Sequence, residues 1–281
     1  MDTPRTPGPV GAVVALKPTQ YAKSRLDTVA APLRRRIAWS MAVDTLAALS
    51  AAVDRVLVVG DQPALESRLR RLGLAVTVVP EPGAVGMNGA LRHGDATLRG
   101  LGCTTVLACV GDLPALRPES VLQIVSAARP FRRSFVADAS GVGTTVLVAN
   151  GTELDPRFQG RSAAAHRSSG AVALDADLLG SSLADARRDV DTEVDLHDAF
   201  HLGLGRATAA LVDPATGRLG RGDVVTVTDQ RSDSGDQIVI TSAGYRIQLP
   251  AAALQDGIRH VRPGQRLHVV TDDSRVLAAW W

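Results

Sequence analysis

Over the first part of the chain, short unbroken runs of apolar residues alternate with longer segments of helical periodicity. An unbroken apolar run indicates a strand that is buried on both faces, as in the centre of a parallel sheet. Four such runs occur, at 11–16, 55–59, 74–79 and 104–110. Helices are predicted between them, at 29–52, 62–72 and 88–101. The alternation predicts right-handed strand–helix–strand units and a doubly wound, Rossmann-like α/β sheet.

The pattern changes twice further along the chain. Beyond residue 130 it becomes less regular, and short strands near 134–138 and 144–149 with a helix at 194–201 indicate a mixed-sheet region. From Ala207 onward, strand-like runs separated by turn-rich stretches predict a small closed β-barrel. These runs are 207–213, 223–228, 237–241, 245–249 and 266–270. We therefore expect a disordered lead-in at 1–9, a main domain at 10–205 and a barrel at 207–281.

Composition excludes several classes of protein. Hydrophobic residues make up 45% of the 281 residues but aromatic residues only 3%, so we expect a core of Ala, Val and Leu. A formal net charge of +2 without a basic block argues against a protein that coats duplex nucleic acid. Cys103 and Cys109 offer no disulfide framework and are expected to be reduced thiols. Neither a secretory signal nor a membrane-spanning run is evident, which predicts a soluble cytoplasmic protein.

Polar residues follow the first and fourth predicted strands at once. Lys17 comes directly after the first strand, and Asp112 follows the fourth strand within Val110–Pro114. In an open parallel sheet, ligands bind outside the carboxyl ends of the strands. Both side chains are therefore expected to point into the same crevice.

A second acidic feature is the sequence Asp189-Val190-Asp191. In an extended segment, residues two apart face the same side, so these carboxylates would converge and repel each other without a cation between them. With Asp112 they would form a site made only of oxygen ligands, which Mg²⁺ prefers and from which it also binds phosphate. The alternative is that both are solvated turn or cap residues, because the D-x-D pattern is short and common.

Three cations lie in the loop after the first strand: Lys17, Lys23 and Arg25. Such a loop can hold a triphosphate, with bidentate contacts from the arginine and point charges from the lysines. The loop lacks the glycine pattern of a Walker loop. A solvated basic loop is the alternative.

Two further segments have the composition of anion sites. Thr144 follows a stretch with two glycines, which would let a ligand approach the backbone closely. Ser162 is expected at the start of a helix, where free N–H groups attract anions. His166 is expected to be a structural hydrogen-bonding residue rather than a catalyst. His197 and His201 lack the glutamate of a zinc-protease motif and are expected to be surface residues.

Taken in order, these pieces resemble the guanylyltransferases of coenzyme F420 biosynthesis, named CofC in archaea and FbiD in actinobacteria. The resemblance extends from about residue 10 to 205, and the order and spacing of its pieces make it specific. Segments 132–138 and 166–172 look most like the actinobacterial branch. The matching pieces are Ala15–Lys17, Lys23–Leu26, Gly111–Pro114, Asp138–Thr144, Pro156–Phe158 with Ser162 and His166, and Asp189–Thr192.

The resemblance implies a nucleotidyltransferase variant of the Rossmann-like fold, of the nucleotide-diphospho-sugar transferase type. Family members join GMP from GTP to a three-carbon phosphorylated acid and release diphosphate. The actinobacterial branch implies phosphoenolpyruvate as the acid, which would give enolpyruvoyl-2-diphospho-5'-guanosine, and the archaeal substrate 2-phospho-L-lactate is the alternative. Sugar-phosphate and molybdopterin nucleotidyltransferases share the fold but typically carry a glycine-rich loop where this chain has Lys17-Pro18-Thr19.

The resemblance also implies roles for individual residues. Mg²⁺ would be held by Asp112, Asp189 and Asp191. The acid would contact Thr144, Gln159 and Ser162. The nucleotide and its phosphates would contact Lys17, Lys23, Arg25 and Asn88. The catalytic set would be Lys17, Lys23, Arg25 and Asp112.

One position departs from the family pattern. Family members usually have Phe-Gly where this chain has Phe158-Gln159, and the glycine follows one place later as Gly160. A backbone N–H contact from Gln159 would survive if its φ angle is negative. If the loop needs a positive φ there, Gly160 is expected to take over the role.

The segment from 207 to 281 is similar to a cold-shock-type OB barrel, through Val212–Gly220 and Val261–Leu267. Single-strand binding on such barrels needs aromatic residues for base stacking. Leu219, Ile247 and Leu249 stand where those aromatics are expected, and Tyr245 alone remains nearby. We therefore expect a module for packing or dimerisation, and a direct hand-over of product to the next enzyme is also considered. The rival from a different class is a protein that binds single-stranded nucleic acid through the barrel.

Overall fold

The computed structural model describes residues 8–16, 31–62, 64–83, 85–179, 183–212, 215–229, 232, 234–254, 258, 261–272 and 275–281. All structural statements concern these residues. The basic loop with Lys17, Lys23 and Arg25 lies outside them, as does most of the predicted lead-in at 1–9.

Seven strands form one mixed sheet. They are β1 (Val10–Ala15), β2 (Arg55–Val59), β3 (Val76–Val79), β4 (Thr105–Cys109), β5 (Arg133–Ala137), β6 (Thr144–Asn150) and β7 (Val172–Ala173). Their order is β3–β2–β1–β4–β6–β5–β7. Strands β1 to β4 are mutually parallel, whereas β6 runs antiparallel to β4 and β5. The predicted α/β class is confirmed, and the mixed region lies where the sequence pattern becomes irregular.

Helices connect and flank these strands. Helix α3 packs against β1 so closely that a Cβ added to Gly94 would come within 2.3 Å of Val13. The described helices are α1 (Ala31–Ala52), α2 (Leu65–Arg71), α3 (Gly86–Gly100), α4 (Pro118–Ala128), α5 (Ser162–Ser168), α6 (Ala176–Leu179), α7 (Ala184–Arg187), α8 (Glu193–Leu202) and α9 (Arg206–Ala209).

The chain reverses its direction across the sheet between β3 and β4. Strands β1, β2 and β3 lie side by side in sequence order, and β4 is then added on the other side of β1. Such a topological switch leaves a crevice outside the carboxyl ends of the two strands that flank it. Here the crevice lies beyond Ala15 of β1 and Cys109 of β4.

The described chain divides into two compact units. The first comprises 8–16 and 41–190, and the second comprises 31–40 and 191–281. The division passes through α1, so the first turns of this helix belong to the second unit. The core of the first unit is mostly aliphatic, as the composition predicts, and includes Val13, Leu57, Leu91 and Leu147.

Five strands of the second unit close into a barrel. They are β8 (Arg221–Val227), β9 (Gln237–Ile240), β10 (Arg246–Leu249), β11 (Arg266–Asp272) and β12 (Arg275–Trp280). The order around the barrel is β10–β12–β11–β8–β9, and β10 pairs with β9 to close it. The β10–β12 pair is parallel and the other pairs are antiparallel. Its interior is filled by aliphatic side chains such as Val225, Val239, Leu267 and Val269.

The strand predicted at 207–213 is wrong. Residues 206–209 form the short helix α9, and Val212 makes an isolated β-bridge with Leu219. Alanine favours helix, and Gly205 in an extended conformation begins the turn. Conversely, the sequence does not predict β12, because its two adjacent alanines have a low propensity for strands. Pairing with β11 makes this segment a strand.

The first turns of α1 lie against barrel strands of the same unit. The guanidinium carbon of Arg36 stands 5.7 Å from the ring centroid of Trp280 on β12. Trp280 in turn stacks on His268 of β11, with 6.0 Å between ring centroids. A Cβ added to Gly222 of β8 would come within 3.3 Å of Leu33, so the helix approaches this strand closely. The barrel therefore holds the part of α1 that follows the basic loop in sequence.

Two predictions from composition can be compared with the structure. Cys103 and Cys109 are both free and buried. Burial raises the pKa of each thiol, and the negative charge of Asp112 raises that of Cys109 further. Among the described helices, none combines the length and the apolar character needed to cross a bilayer.

Candidate active site

Asp112 lies just beyond the carboxyl end of β4, in a loop that α1 holds in place. The Leu113 N–H donates to Thr45 Oγ1 at 3.0 Å, and that hydroxyl donates to the Met41 carbonyl oxygen at 2.9 Å. Thr45 and Leu113 are both fully buried. A buried amide tied to a buried hydroxyl has little freedom to move. The backbone at Asp112 is therefore fixed at the switch point of the sheet.

The segment 186–190 runs beside the Asp112 loop. The Val190 N–H donates to the carbonyl oxygen of Asp112 at 3.1 Å. Four residues earlier, the Ala186 carbonyl oxygen accepts from Thr145 Oγ1 at 2.7 Å. Asp189 lies between these two hydrogen bonds, so its backbone is brought beside that of Asp112.

Arg187 joins the same segment to the loop that leads into β6. Its Nε donates to the Ala137 carbonyl oxygen at 3.1 Å and its Nη2 to the Asp138 carbonyl oxygen at 3.0 Å. Its own carbonyl oxygen accepts from the Ala139 N–H at 2.7 Å. The planar guanidinium thus contacts two successive carbonyls through two nitrogens held in a fixed fork, whereas a lysine would offer a single nitrogen on a flexible stem.

Asp191 begins the second unit and stands directly before α8. Asp195 Oδ2 accepts from the N–H groups of Asp191 at 3.2 Å and of Thr192 at 2.9 Å. Thr192 Oγ1 accepts from the Asp195 N–H, which completes a reciprocal capping box. These hydrogen bonds therefore hold the backbone at Asp191 in place at the start of α8.

The proposed aspartate trio is not gathered as a ready-made side-chain cluster. In the described ranges, no group of three or more His, Cys, Asp or Glu side chains is arranged to hold a metal ion. What the hydrogen bonds establish is the adjacency of the Asp112 and Asp189 backbones in the first unit. The donor chemistry, carboxylate oxygens alone, still suits a hard divalent cation. The metal role of Asp112, Asp189 and Asp191 stays a prediction.

The basic loop is described only at its two ends. Leu16, which precedes Lys17, donates its N–H to the Val59 carbonyl oxygen at 2.9 Å, and α1 begins at Ala31. The loop therefore starts at the carboxyl end of β1, on the edge of the crevice. The contacts predicted for Lys17, Lys23 and Arg25 lie outside the described residues.

Thr144 and His166 form a buried pair. Thr144 Oγ1 lies 2.9 Å from His166 Nδ1, and His166 Nε2 accepts from the Arg157 N–H at 2.9 Å. Because a backbone N–H can only donate, the ring proton must be on Nδ1, which donates to Thr144. Burial beside Phe135 and Phe158 lowers the pKa of His166 to about 4, so the ring stays neutral near pH 7. The structural role expected for His166 is confirmed, and the Thr144 hydroxyl proton points away from it.

Asp138 organises the loop before Thr144. Its Oδ1 accepts from the Val142 N–H at 3.0 Å and from Ser140 Oγ at 2.9 Å, and its Oδ2 accepts from the Gly143 N–H at 2.8 Å. A Cβ added to Gly143 would come within 2.5 Å of that Oδ2. Glycine at this position is therefore what allows the loop to close around the carboxylate.

Ser162 is the first residue of α5 and is buried. The next amide, from Ala163, donates to the Val142 carbonyl oxygen at 3.1 Å. The loop before Thr144 and the start of α5 are thus joined into one piece. This brings the segments of Thr144 and Ser162 together, while their contact with the acid stays a prediction.

Gln159 and Gly160 both adopt left-handed backbone conformations, with φ angles of 90° and 57°. The same loop is held from α3 by the Asn88 amide. Asn88 Nδ2 donates to the Phe158 carbonyl oxygen at 3.1 Å, and Oδ1 accepts from the Phe158 N–H at 2.9 Å. Asn88 therefore positions the Gln159 loop. One amide hydrogen and one lone pair remain, so its contact with the nucleotide stays a prediction.

Sequence reasoning misses three residues that shape this site. Asp138 could have been found, because an Asp followed by Ser and Gly is a common turn signal. Thr45 and Arg187 bear no local signal, since their partners lie 68 and 50 residues away along the chain. These three residues therefore matter through long-range contacts or turn geometry rather than through a motif.

Comparison with known proteins identifies the family. The MobA-like NTP transferase domain matches residues 30–181. The phosphoenolpyruvate guanylyltransferase of Streptomyces coelicolor is 46% identical over 204 residues, which cover 71% of this chain and 93% of the relative. The phosphoenolpyruvate guanylyltransferase of Salinispora arenicola is 43% identical over 215 residues, which cover 74% of this chain and 96% of the relative.

This chain belongs to the phosphoenolpyruvate guanylyltransferase family. It is therefore an enzyme of the nucleotidyltransferase class, and the resemblance found in its sequence is confirmed. A crystal structure from Desulfovibrio desulfuricans, named as a nucleotide-diphospho-sugar transferase, is similar in fold, with a TM-score of 0.55. It is 14% identical and the match covers 71% of this chain and 92% of that one, so the likeness concerns the fold alone. The match to the MobA-like NTP transferase domain ends at residue 181, before the barrel begins.

Proposed function

We propose that this chain transfers GMP from GTP to phosphoenolpyruvate, giving enolpyruvoyl-2-diphospho-5'-guanosine and diphosphate in coenzyme F420 biosynthesis. The observation that carries the proposal is 43% to 46% identity with relatives named for this activity, over 93% to 96% of their length. The same names favour phosphoenolpyruvate over 2-phospho-L-lactate. We place the reaction in the cytoplasm.

Both reactants are anions, and this defines what the protein must do. A phosphate oxygen of phosphoenolpyruvate attacks the α-phosphorus of GTP. A new P–O bond forms, and the bond to the bridging oxygen breaks, so diphosphate leaves with the electron pair. The attacking phosphate is already a nucleophile near neutral pH and needs no general base. The protein must therefore neutralise and align the two anions.

We assign the charges to two groups of residues. Lys17, Lys23 and Arg25 contact the phosphates of GTP, and Asn88 contacts the nucleotide while it holds the Gln159 loop. Asp112, Asp189 and Asp191 hold a divalent cation, which we take to be Mg²⁺. A bound Mg²⁺ supplies positive charge that neutralises phosphate oxygens. The adjacency of the Asp112 and Asp189 backbones and the all-oxygen donor set support this assignment.

The acid is assigned to the joined loops around Thr144. The Thr144 hydroxyl, which accepts from His166, can donate its own proton to a carboxylate oxygen of phosphoenolpyruvate. Ser162 at the start of α5 and a backbone N–H of Gln159 or Gly160 complete the pocket. The positive φ at Gln159 favours Gly160 for that contact.

We propose that the barrel is an OB-type module whose task is packing. Its strand order, closed by a parallel pair between the third and fifth strands, supports the OB type. The support it gives to Leu33 and Arg36 of α1 favours packing over nucleic-acid binding. Leu249 is buried in the barrel, where it offers no stacking surface. We further propose that the protein forms a homodimer and hands its product over to the next enzyme of coenzyme F420 biosynthesis.

The proposal is tested with the purified full chain, GTP and Mg²⁺. Diphosphate release is measured with phosphoenolpyruvate and with 2-phospho-L-lactate in separate reactions, and the product is identified by mass. We expect release with phosphoenolpyruvate. Release with neither acid would refute the proposed function.

Asp189→Asn tests the metal assignment. The amide is neutral and a poorer ligand for Mg²⁺, so we expect turnover to fall by at least about a hundredfold. Thermal unfolding by circular dichroism should stay close to wild type, because the segment is held through its backbone. Asp177→Asn, an exposed residue of α6, is the matched control. Unchanged turnover in Asp189→Asn would remove this residue from the metal site.

A further inference from the structure

Two histidines on α8 have their ring nitrogens turned toward each other. His197 and His201 are both exposed and lie one turn apart on the helix. Their Nε2 atoms are 3.2 Å apart, and the rings meet edge-on with 4.6 Å between centroids. The guanylyltransferase chemistry proposed above uses neither residue.

The separation of the two nitrogens suits a shared metal ion. A transition metal binds imidazole nitrogen at about 2.0–2.1 Å. Two nitrogens on one ion, at angles between a right angle and the tetrahedral angle, are then separated by roughly 2.9–3.4 Å. The observed distance falls within this range. Histidines four apart on one helix face are also the spacing used by helical zinc sites.

His201 is held in this orientation by a neighbour. Phe200 meets its ring edge-on, with 5.4 Å between centroids. Phe200 is itself pressed against Gly217, where an added Cβ would come within 2.5 Å of the phenyl ring. One of the two imidazoles therefore sits on a packed aromatic ring. His201 lies in the last turn of α8, where the helix dipole favours a cation.

We propose that His197 and His201 form a two-histidine site for a transition metal ion such as Ni²⁺, Cu²⁺ or Zn²⁺. Imidazole nitrogen selects these ions over Mg²⁺, which prefers oxygen ligands. No third His, Cys, Asp or Glu side chain joins the pair among the described residues. Water completes the coordination sphere, and the ion remains accessible to an external ligand. This site is separate in its donor chemistry from the carboxylates assigned to Mg²⁺.

The test is a calorimetric titration of the tag-free full chain with NiCl₂ in excess MgCl₂, which saturates oxygen-ligand sites. We expect one equivalent of Ni²⁺ to bind to the wild type. Binding should weaken at least about tenfold in His197→Ala and in His201→Ala, because each removes one of two ligands. His197→Gln, which keeps a hydrogen-bonding side chain, should lose the site as well. His93→Ala, a single helical histidine on α3, should bind as the wild type does.

A second measurement uses the folded state as the readout. A ligand that binds only the folded chain raises its unfolding temperature. Ni²⁺ should therefore raise the unfolding temperature of the wild type and of His93→Ala but not of the His197 and His201 variants. Ni²⁺ binding that survives in both alanine variants, or no binding by the wild type, would overturn the proposal and leave a simple hydrogen bond between the two rings.

Discussion

Gln159 is a glutamine in a backbone conformation that suits glycine. Its φ angle of 90° lies beyond the usual left-handed region for residues with a side chain. The family pattern has glycine here, and this chain carries Gly160 one place later, also at positive φ. This is the case in which Gly160 is expected to take over the backbone contact. Strain of this kind is typically retained where the surrounding structure over-determines the backbone, here through Asn88 and Phe158.

Gln159→Gly should relieve this strain. We expect the free energy of unfolding to rise by about 1 kcal/mol, because glycine adopts a positive φ without steric cost. Chemical denaturation is the measurement. Arg161→Gly is the control, since Arg161 has a φ angle of −83° and should lose stability on the same substitution. If Gln159→Gly is less stable than the wild type, the glutamine side chain contributes more than its backbone strain costs.

At the scale of elements, segment 186–190 links two loops with different tasks. On one side it is tied to the Asp112 carbonyl through Val190, and on the other Arg187 holds the carbonyls of Ala137 and Asp138. The first loop is assigned to the metal and the second leads to Thr144. A substitution of Arg187 should therefore affect the proposed binding site for phosphoenolpyruvate around Thr144 more than the proposed metal site.

Arg187→Lys tests this link. Lysine replaces the fixed fork of two nitrogens with a single nitrogen on a flexible stem, so we expect the KM for phosphoenolpyruvate to rise about tenfold with little change in the KM for GTP. Steady-state kinetics with each substrate varied in turn is the measurement. Arg133→Lys is the matched control, because Arg133 donates to the Glu153 carbonyl at the other end of β5. An equal rise in both KM values would indicate a general loss of structure instead.

A second link joins the barrel to α1. Trp280 and Gly222 support the first turns of the helix, and the basic loop directly precedes that helix in sequence. Because the proposed function assigns the basic loop to GTP, loss of this support is expected to weaken GTP binding. Trp280 is in this sense a positioning residue.

Trp280→Leu should raise the KM for GTP by about two- to tenfold, the range expected for loss of a cation–π contact. The KM for phosphoenolpyruvate should stay near its wild-type value. Tyr245→Leu, which removes an exposed aromatic from the same barrel, should change neither value. A KM for GTP that stays constant while the variant loses stability would assign Trp280 to the barrel core alone.

At the scale of the whole molecule, His166 makes stability depend on pH. Its pKa is about 4 in the folded chain and about 6.5 in the unfolded chain. The stabilisation is therefore complete above pH 6.5 and is lost as the pH falls toward 4, because the unfolded chain binds the proton first. We expect a loss on the order of 2 kcal/mol over this range. His166→Gln should flatten the pH dependence of urea denaturation, and an unchanged slope would contradict the assignment.

The sequence predicts those elements whose burial produces a recognisable local pattern of apolar residues. Strands such as 11–16 and 55–59 are buried on both faces and therefore read as unbroken apolar runs. The position of Asp112 can be predicted from topology, because a polar residue that follows a central parallel strand lies at the carboxyl edge of the sheet. Thr45 and Arg187 could not be predicted, since their hydrogen bonds join segments far apart in the chain. Strand β12 could not be predicted either, because its conformation comes from pairing with β11 rather than from its alanines.

The composition of the second unit has a consequence for biosynthesis. This unit combines 31–40 with 191–281, so the partners of its first segment leave the ribosome only after the whole first unit has been translated. Arg36 meets Trp280 in the last strand to be made. The first turns of α1 are therefore synthesised long before the barrel strands that support them. A chain halted before β12 would carry a finished α/β sheet and a helix start that lacks the Trp280 contact within its own unit.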